Sequence, residues 1–445
     1  MAAILCVSDG MISVVYPVLE LARRLAADGH HVTFVGHPTR RNLAVRQGLD
    51  FEALPPDHST QFLEHDADRG LLQRFRLRQV RRESALTALG TDGFAEILRR
   101  IDPELVLVDG EMHEHVIVSV GTGRRTAVLN TFCSIWRRPG VPPPHVPARP
   151  GVGWTGSRLA MGLHWTALRW RKRLRSGRLW LRHVGCDRIS RLRALANRYG
   201  FDLRTEADAG QWLIPWTYRR LPAFSLHARE FDFHHEPADH VHYLGPMSLH
   251  HRGDALAADD DARLDEAFRR TQNENRALVY ATFGSAFTVG SGAISQLARA
   301  AGDQPWEVVL SLGGKNLDEL GTLPRNVHAF RWLPQLDVLK RADVAIVHGG
   351  INTIDECVLH GVPMLVYCGF ETDMAGNMAR VVHHGLGVPG DPLREGPNEL
   401  RQHVDRLLTE PRFRETVANF RSHYERYENE RVAERTVDEL LRGPS

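Results

Sequence analysis

Two short apolar runs, each followed by a polar loop, constrain the fold of this chain more than any other feature. Residues 345–347 (AIV) and 364–367 (MLVY) have the length and composition of buried strands. Gly349-Gly350 turns the chain after the first run, and a helix is predicted to begin near Asn352. A helix N-terminus leaves backbone N–H groups unpaired, and the carboxyl ends of parallel strands share one edge of a sheet. The pattern therefore predicts a crevice that binds a phosphate or pyrophosphate.

The residues around this crevice belong to a longer series. In order, the chain reads Trp332-Leu333-Pro334-Gln335, His348-Gly349-Gly350-Ile351-Asn352-Thr353, Glu356, Gly361-Val362-Pro363, and Asp373-Met374 shortly before Asn377. This series resembles the nucleotide-sugar signature of the UDP-glycosyltransferase superfamily, and in particular its bacterial natural-product members of the antibiotic type. A lone His-Gly-Gly is a weak signal, whereas the whole series in register is specific.

The resemblance implies a donor-binding role for each matched residue. Trp332 is expected to stack on the nucleotide base and Gln335 to hydrogen-bond its edge. Glu356 is expected to bind the ribose hydroxyls, and Asp373 the sugar hydroxyls. The residues expected to bind the diphosphate are His348, Gly350, Asn352, Thr353 and Ser285. The implied donor is a UDP- or dTDP-sugar, used as a substrate, with no cofactor and no metal.

One donor position departs from the family pattern. The usual glutamine after the acidic residue is Met374 here, so an apolar thioether replaces an amide that would bind sugar hydroxyls. A buried hydroxyl without a partner is costly, and the change therefore penalises a fully hydroxylated sugar. Two interpretations stay open: a donor sugar that is deoxygenated or otherwise modified, or a plain hexose whose hydroxyl meets water or backbone.

The start of the chain predicts the fold class. Strand-like residues 3–7, a helical pattern at 17–27 and a second strand at 31–36 indicate a parallel sheet with right-handed crossovers. A chain of 445 residues is too long for one ordinary core. These patterns predict an α/β chain of two domains, and the resemblance implies the GT-B fold, in which two Rossmann-like doubly wound domains face a cleft.

The domain boundaries follow from composition and from the resemblance. Residues 1–250 are predicted to form an N-terminal acceptor-binding domain, and residues 251–425 a C-terminal nucleotide-sugar-binding domain. The polar, acidic residues 250–265 are expected to form the linker between them. Residues 426–445 are expected to form a C-terminal helix that packs back on the first domain.

Composition and charge exclude several classes of protein. A net charge of +2 argues against a nucleic-acid partner. The five cysteines are widely spread and form no C-x-x-C pair, which fits reduced thiols. No signal peptide opens the sequence, and no apolar run has the length of a membrane span. We therefore expect a cytoplasmic monomer or homodimer that binds a small-molecule acceptor and a sugar nucleotide.

The resemblance fails at one catalytic position. The catalytic histidine of the family lies three residues before a proline, here Pro17, and that position is Val14. A histidine there takes the proton of the acceptor hydroxyl, which valine cannot do. The aspartate that orients this histidine is matched by Asp109, which follows the apolar strand 105–108. Val14 itself is expected to contact the acceptor.

Four interpretations of this gap remain open. In the first, Asp109 is itself the base, with a pKa raised by burial. In the second, another nearby group is the base, and the candidates are Asp9, Glu111, His113 and His115. In the third, the acceptor is an amine or an acidic phenol that needs little help to lose its proton, and in the fourth the protein binds ligands without turnover.

The middle of the chain is expected to cover the acceptor. Residues 137–150 are dense in proline and indicate an extended loop. Residues 157–183 combine tryptophans with many arginines, which indicates either a solvated helix with its tryptophans in the core or a basic amphipathic helix with peripheral membrane contact. The aromatic residues expected to contact the acceptor are Phe132, Trp136, Trp165 and Trp170.

Together these observations predict an inverting glycosyltransferase that moves a sugar from a nucleoside diphosphate to a small, largely apolar natural product. The alternative is a catalytically inactive auxiliary protein of the same fold that binds and activates a partner enzyme. Val14 favours the alternative, and the nearly intact donor series disfavours it.

Overall fold

The computed structural model describes residues 1–67, 71–250, 252, 256–283, 291–314, 322–368 and 372–443. One residue of the predicted donor site, Ser285, lies outside these ranges. Among the described residues, no helix is both long and apolar enough to cross a membrane.

The first domain alternates strands and helices. Its elements are β1 (Ala3–Val7), α1 (Ile12–Ala27), β2 (His31–Gly36), α2 (Arg41–Arg46), β3 (Asp50–Ala53), α3 (Ser59–Ala67), α4 (Leu71–Arg76), α5 (Arg78–Thr87), α6 (Thr91–Ile101), β4 (Leu105–Asp109), α7 (His113–Gly121), β5 (Thr126–Asn130), α8 (Arg158–His183), α9 (Arg188–Arg198), α10 (Leu203–Glu206), β6 (Ala207–Asp208), β7 (Thr217–Tyr218), β8 (Ala223–Ser225) and β9 (Val241–Tyr243), with 3₁₀ turns at Pro38–Arg40 and Arg229–Phe231. Within the described part of the chain, the main sheet has the order β3-β2-β1-β4-β5-β8-β9, and its paired strands are parallel.

The strands of this sheet are apolar on both faces because helices cover both sides. Along β1, Ile4 and Cys6 enter the core on one face, while Leu5 and Val7 enter the core on the other. Such two-sided burial is typical of parallel sheets, and it explains why the strands read as continuous apolar runs in the sequence.

The second domain repeats the architecture. Its elements are α11 (Ala258–Asn273), β10 (Ala277–Thr282), α12 (Ser291–Ala301), β11 (Trp306–Ser311), β12 (Val327–Phe330), α13 (Gln335–Leu339), β13 (Val344–Val347), α14 (Ile351–Leu359), β14 (Met364–Tyr367), α15 (Met374–His383), β15 (Gly387–Gly390), α16 (Pro397–Thr409), α17 (Pro411–Asn429) and α18 (Val432–Arg442). Across the described residues, the parallel sheet has the order β12-β11-β10-β13-β14-β15. The order reverses at β10, and the crevice beside such a reversal is where ligands of doubly wound sheets bind. The predicted fold class is confirmed.

Two predicted elements differ from the structure. The linker expected at 250–265 is shorter, because α11 already begins at Ala258 with Asp259, Asp260 and Asp261 in its first turn. Carboxylates there interact favourably with the helix dipole, so the acidic run starts a helix instead of extending a linker. The helix expected at 17–27 begins earlier, at Ile12, and contains Pro17.

The end of the chain returns to the first domain. Ala433 and Val437 of α18 lie in the core beside β1 and α1. The Arg125 guanidinium, just before β5, donates a hydrogen bond to the Leu440 carbonyl at 2.6 Å. The chain therefore begins and ends in the same domain.

Candidate functional site

The turn between β13 and α14 builds an anion site from backbone groups. Gly349 has φ +92°, a conformation that favours glycine. A Cβ on Gly350 would lie 2.7 Å from Nε2 of His348, so the imidazole lies directly over this glycine. Gly350 is the N-cap of α14, and no side chain caps the helix. The first-turn N–H groups, together with His348 and Asn352, can therefore bind a diphosphate.

A proline in the facing domain completes this edge of the cleft. Pro17 has no N–H, so it cannot donate to the Ser13 carbonyl four residues earlier in α1. The side-chain amide of Asn352 donates to that carbonyl instead. The first turn of α1, which contains Val14, therefore lies against the N-terminus of α14. The position at which the family has its histidine is thus next to the predicted diphosphate site.

Trp332 presents an aromatic face to solvent at the same edge of the second sheet. Its side chain is 50% exposed, which is unusual for tryptophan. Gly314, with φ +92°, lies beneath it, and a Cβ there would approach the indole to 2.9 Å. The glycine lets the backbone support one side of the ring and leaves the other side open. This geometry suits stacking of a nucleotide base.

The residues predicted for the base edge and the ribose contact one another. The Gln335 amide donates to the Glu356 carboxylate, and the Tyr280 hydroxyl donates to Oε1 of Gln335 at 2.8 Å. A second donor to Glu356 is the Arg252 guanidinium, which also lies 4.7 Å from the ring centroid of Tyr16. Arg252 was missed in the sequence analysis, because nothing in the polar stretch around it marks an arginine that faces a site more than one hundred residues away.

The loop after β14 is tied to the anion turn. The Asn377 amide donates to the Asp373 carboxylate at 2.9 Å and to the Gly349 carbonyl at 3.0 Å. Asp373 is therefore held beside the diphosphate site, where the sugar of a donor would follow. Met374 is 4% exposed and packs against Gly349 within the apolar core of the second domain.

A narrow, largely apolar pocket opens across the cleft at the ends of β4 and β5. Asp109 lies in its wall together with two predicted acceptor residues, Phe132 and Trp136. The remaining lining residues are Gly110, Glu111, Val128, Leu129, Asn130, Thr131, Ile135, Leu213, Thr217, Tyr218 and Ala223. Asp109 and Glu111 supply the carboxylates of this lining. The free volume of this pocket is about 20 Å³, so it admits the reactive polar group of an apolar molecule and not a whole acceptor.

Asp109 is a buried carboxylate with few partners. Its Oδ1 accepts a hydrogen bond from the Glu111 backbone N–H at 3.0 Å, and the Ser8 hydroxyl donates to Oδ2 at 3.4 Å. Burial raises the pKa of Asp109 to about 7, and the negative charge of Glu111 adds to the shift. A carboxylate with this pKa can accept a proton near neutral pH and release it again.

Two of the other candidate bases, His113 and Asp9, lie elsewhere. His113 is fully buried, and its Nε2 lies 3.4 Å from the Ile214 carbonyl, which can only accept. Nε2 therefore carries the hydrogen, and Nδ1 accepts from the Tyr218 hydroxyl at 2.8 Å. Burial lowers the pKa of His113 to about 4. Asp9 lies in the loop after β1, where it accepts the His37 backbone N–H at 2.8 Å.

Two further residues clarify the gap left by the missing histidine. Val14 is 6% exposed and packs against Gly10. Among the described residues, it does not line the narrow pocket. His115, the remaining histidine candidate, has its ring centroid 4.7 Å from that of Phe94, and burial lowers its pKa to about 4. The structure therefore brings only Asp109 and Glu111 of the candidate bases to the pocket.

Glu111 is influenced by charges from both domains. Loss of surrounding water raises the pKa of Glu111, Arg188 opposes the shift, and the negative charge of Asp373 adds to it. The charge of the donor-side residue Asp373 therefore acts on an acid of the acceptor-side pocket. The sequence marks Glu111 only as one of several groups near Asp109, because the influence of Asp373 depends on how the domains pack.

A buried ion pair joins the two domains behind the cleft. Nδ1 of His227 lies 2.7 Å from Oδ2 of Asp355, and Nε2 donates to the Thr131 carbonyl at 2.7 Å. The Tyr424 hydroxyl donates to Oδ1 of Asp355 at 2.7 Å. Burial opposes protonation of His227, but the charge and hydrogen bond of Asp355 outweigh it and raise the pKa of His227. No short-range pattern in the sequence marks this network.

The predicted acceptor loop also contacts the donor domain. A Cβ on Gly376 in α15 would lie 1.8 Å from the Pro144 carbonyl oxygen, so only glycine fits there. Arg380, one turn further along α15, donates to Asp232 of the first domain at 2.8 Å, and both side chains are buried. The acceptor loop and the donor helix therefore form one continuous wall.

Comparisons with known proteins place this geometry in a class. Residues 295–435 match the family model described as erythromycin biosynthesis protein CIII-like, C-terminal domain. Demethyllactenocin mycarosyltransferase of Streptomyces fradiae is 25% identical over 440 residues, which cover 96% of this chain and 84% of that relative.

Two solved structures show the same fold. The calicheamicin glycosyltransferase CalG4 gives a TM-score of 0.65 at 19% identity and covers 100% of both chains. The glycosyltransferase VinC, solved in complex with dTDP, gives a TM-score of 0.61 at 18% identity and covers 97% of this chain and 100% of VinC. At this identity the likeness shows the fold alone.

Fold and relatives together define the chain as a glycosyltransferase of the GT-B class. Its homologues are macrolide and other natural-product glycosyltransferases, and its second domain is of the EryCIII-like type.

Proposed function

We propose that this chain transfers a sugar, with inversion at the anomeric carbon, from a UDP- or dTDP-sugar to a small, largely apolar acceptor, and that Asp109 is the base. The observation that carries the proposal is a buried carboxylate with a pKa of about 7 in the wall of a narrow apolar pocket. No histidine is needed in this arrangement, because the acid that orients it elsewhere in the family has itself a pKa suited to proton transfer.

The proposed reaction is a single displacement at the anomeric carbon. The acceptor hydroxyl loses its proton to the Asp109 carboxylate while its oxygen forms a bond to the anomeric carbon. The bond from that carbon to the diphosphate oxygen breaks on the opposite face, and the nucleoside diphosphate leaves with the electron pair. The N-terminus of α14, with His348 and Asn352, stabilises the charge that develops on the leaving group.

On the donor side, we propose that the nucleotide base stacks on the exposed face of Trp332. Gln335 and Glu356 lie together beyond the exposed indole, so the ribose is expected to displace part of the present contact between Glu356 and Arg252. Asp373, held by Asn377, is positioned for the hydroxyls of the sugar. Met374, the first residue of α15, occupies the position at which the family usually has a glutamine. We propose that the transferred sugar lacks a hydroxyl at the carbon that would face this glutamine.

The test is a transfer assay with UDP-glucose, dTDP-glucose and a dTDP-deoxyhexose against a panel of apolar alcohols and phenols. Mass spectrometry detects the product, and the coupling constant of its anomeric proton reports inversion. We expect kcat/KM to rise with pH and to reach a plateau above about 7, because Asp109 must lose its proton before it acts as a base. Tight binding of UDP or dTDP with no transfer to any acceptor would instead identify an auxiliary protein.

A further inference from the structure

The long helix α8 has an exposed face that the proposed activity does not use. Large apolar side chains project from it into solvent: Leu159 (62% exposed), Leu163 (57%), Trp170 (58%), Leu174 (57%) and Leu181 (66%). At about 100° per residue, these five side chains fall within about 60° of arc along the whole helix. We call these five residues the apolar stripe.

The stripe is flanked by positive charge. Helix α8 contains seven arginines and one lysine, and no aspartate or glutamate. Arg171, Arg175, Arg178 and Arg182 project on one side of the stripe, and Arg169 and Arg173 on the other, by the same helical geometry. Among the described residues, none of these arginines forms an ion pair with a carboxylate, so that part of the chain leaves their charge available to a partner.

The opposite face of α8 is fixed to the first domain. Trp165 is buried and donates from Nε1 to the Val141 carbonyl at 2.9 Å. The Lys172 ammonium donates to the carbonyls of Ala209, Gln211 and Leu213 at 3.2, 2.9 and 2.7 Å. The inner face of α8 is therefore already packed against the first domain, and the stripe is a second apolar face on the outer side of the helix.

The surface next to the N-terminus of α8 extends the stripe. Trp154 is 68% exposed and Val152 is 45% exposed, in the turn before Ser157 caps the helix. Trp180 adds a third exposed indole near the other end, at 39%. Tryptophans at the borders of an apolar strip, with arginines beside them, match the depth profile of a bilayer, where indoles and guanidinium groups lie at the level of the headgroups.

From this surface we infer that α8 docks this protein onto an anionic lipid bilayer, with the stripe among the acyl chains and the arginines among the lipid phosphates. Charge complementarity selects this partner. A second copy that docked through its own α8 would bring two rows of arginines together, and this helix has no carboxylates to pair with them, which is repulsive. The stripe is also a convex ridge along one helix, which fits the plane of a membrane interface.

The test uses the full chain and vesicles of two compositions, phosphatidylcholine alone and phosphatidylcholine mixed with phosphatidylserine. We expect the protein to float with the anionic vesicles and to stay largely unbound with the neutral ones. Trp emission should shift to shorter wavelength on binding, and added salt should weaken binding because the lipid charge is screened.

Matched variants separate the two parts of the surface. The double variant Leu163→Gln, Leu174→Gln removes apolar contact with the bilayer. The double variant Arg171→Gln, Arg178→Gln removes positive charge and should weaken the affinity for anionic vesicles about fivefold per arginine. All four side chains are exposed and the fold should persist. Leu393→Gln, at an exposed leucine (83%) of the second domain, and Arg394→Gln beside it serve as controls that leave binding unchanged.

Three results would overturn the inference. The first is the absence of binding to anionic vesicles. The second is binding that the leucine variants leave unchanged, which would mean charge attraction without insertion. The third is a concentration-dependent dimer in sedimentation velocity that the leucine variants dissociate, which would assign the stripe to a second copy.

Discussion

The two sides of the cleft differ in how their residues are distributed along the chain. On the donor side, most of the predicted site lies between Trp332 and Asn377, and backbone geometry at Gly349 and Gly350 is as important as the side chains. On the acceptor side, the pocket draws on segments from Asp109 to Ala223, and its chemistry depends on one buried carboxylate. The donor side can thus be recognised from a local series, whereas the acceptor side exists only after folding.

This difference has a consequence for substitution. A donor-side change should weaken nucleotide binding by a graded amount, because several groups share the ligand. An acceptor-side change at the base should act on the chemical step alone. The experiments below test that division, in order of decreasing expected effect.

The largest effect is expected for Asp109→Asn. An amide cannot take the acceptor proton, so kcat should fall by roughly 10²- to 10⁴-fold while the Kd for UDP or dTDP stays unchanged. Steady-state kinetics and calorimetry measure the two quantities. Asp9→Asn is the matched control and should retain activity. If Glu111→Gln removes activity and Asp109→Asn does not, the base is Glu111.

Gly376→Ala tests the wall that joins the two sides. Its methyl group would meet the Pro144 carbonyl at 1.8 Å, so α15 or the acceptor loop has to move. We expect the free energy of unfolding to fall by about 1–3 kcal/mol and kcat/KM to fall with it. Gly162→Ala in α8, where the new methyl meets nothing within 4 Å, should be neutral or stabilising in the same denaturation experiment.

Trp332→Ala should weaken nucleotide binding without altering the acceptor side. Loss of a stacking ring is worth about 1–3 kcal/mol per base, and Trp332→Phe should restore most of it. Calorimetric titration with UDP and with dTDP measures the change. Trp170→Ala removes an indole of similar exposure far from the crevice and should leave the Kd as it is. If Trp332→Ala leaves the Kd unchanged, the nucleotide base does not stack on Trp332.

The pair of His227 and Asp355 links the two sides and should give stability a pH dependence. Because the pKa of His227 is raised in the folded protein, its contribution is fully present below the unfolded value of 6.5 and is lost as the pH rises through the folded value. We expect His227→Gln to lower the free energy of unfolding by on the order of 1–3 kcal/mol below pH 6.5, and by less above the pKa of His227 in the folded protein. Chemical denaturation across the window, with the wild type beside it, measures the difference. A difference between the two proteins that does not vary with pH would mean that His227 is neutral.

The smallest effect is expected for Met374→Gln. A glutamine at this loop should shift preference from a dTDP-deoxyhexose toward dTDP-glucose by about tenfold or less, since one hydrogen bond is worth about 1 kcal/mol. Competition between the two donors in one reaction measures this ratio directly. A ratio equal to that of the wild type would mean that Met374 acts through the core and has no part in sugar choice.

The sequence was informative where one segment holds a complete unit. The strands of both sheets are continuous apolar runs because both faces are covered, and Ala3–Val7, His31–Gly36 and Met364–Tyr367 are predicted with their observed bounds. In the donor series, Gly349 and Gly350 form the turn before α14, and Trp332 is exposed at the same edge of the sheet. Their roles in binding stay predictions.

Long-range packing explains what the sequence did not reveal. The environment of His113 is set by Tyr218 and Ile214, about one hundred residues away. Arg252 and Glu356 lie 104 residues apart in the chain and meet only after folding. For α8 the sequence left open whether the tryptophans lie in the core or on an exposed amphipathic face, and of Trp165, Trp170 and Trp180 only Trp165 is buried. Composition alone cannot separate an inner apolar face from an outer one.

Because α18 lies in the core of the first domain, the chain crosses between the domains twice: once between β9 and α11, and once along α17. These two crossings act together with the buried contacts of His227 with Asp355 and of Arg380 with Asp232, so the two domains are joined both through the chain and through side chains. Any movement that separates α1 from α14 must break the hydrogen bond from Asn352 to the Ser13 carbonyl. Opening of the cleft at that point would therefore leave the carbonyl that Pro17 cannot reach without its partner.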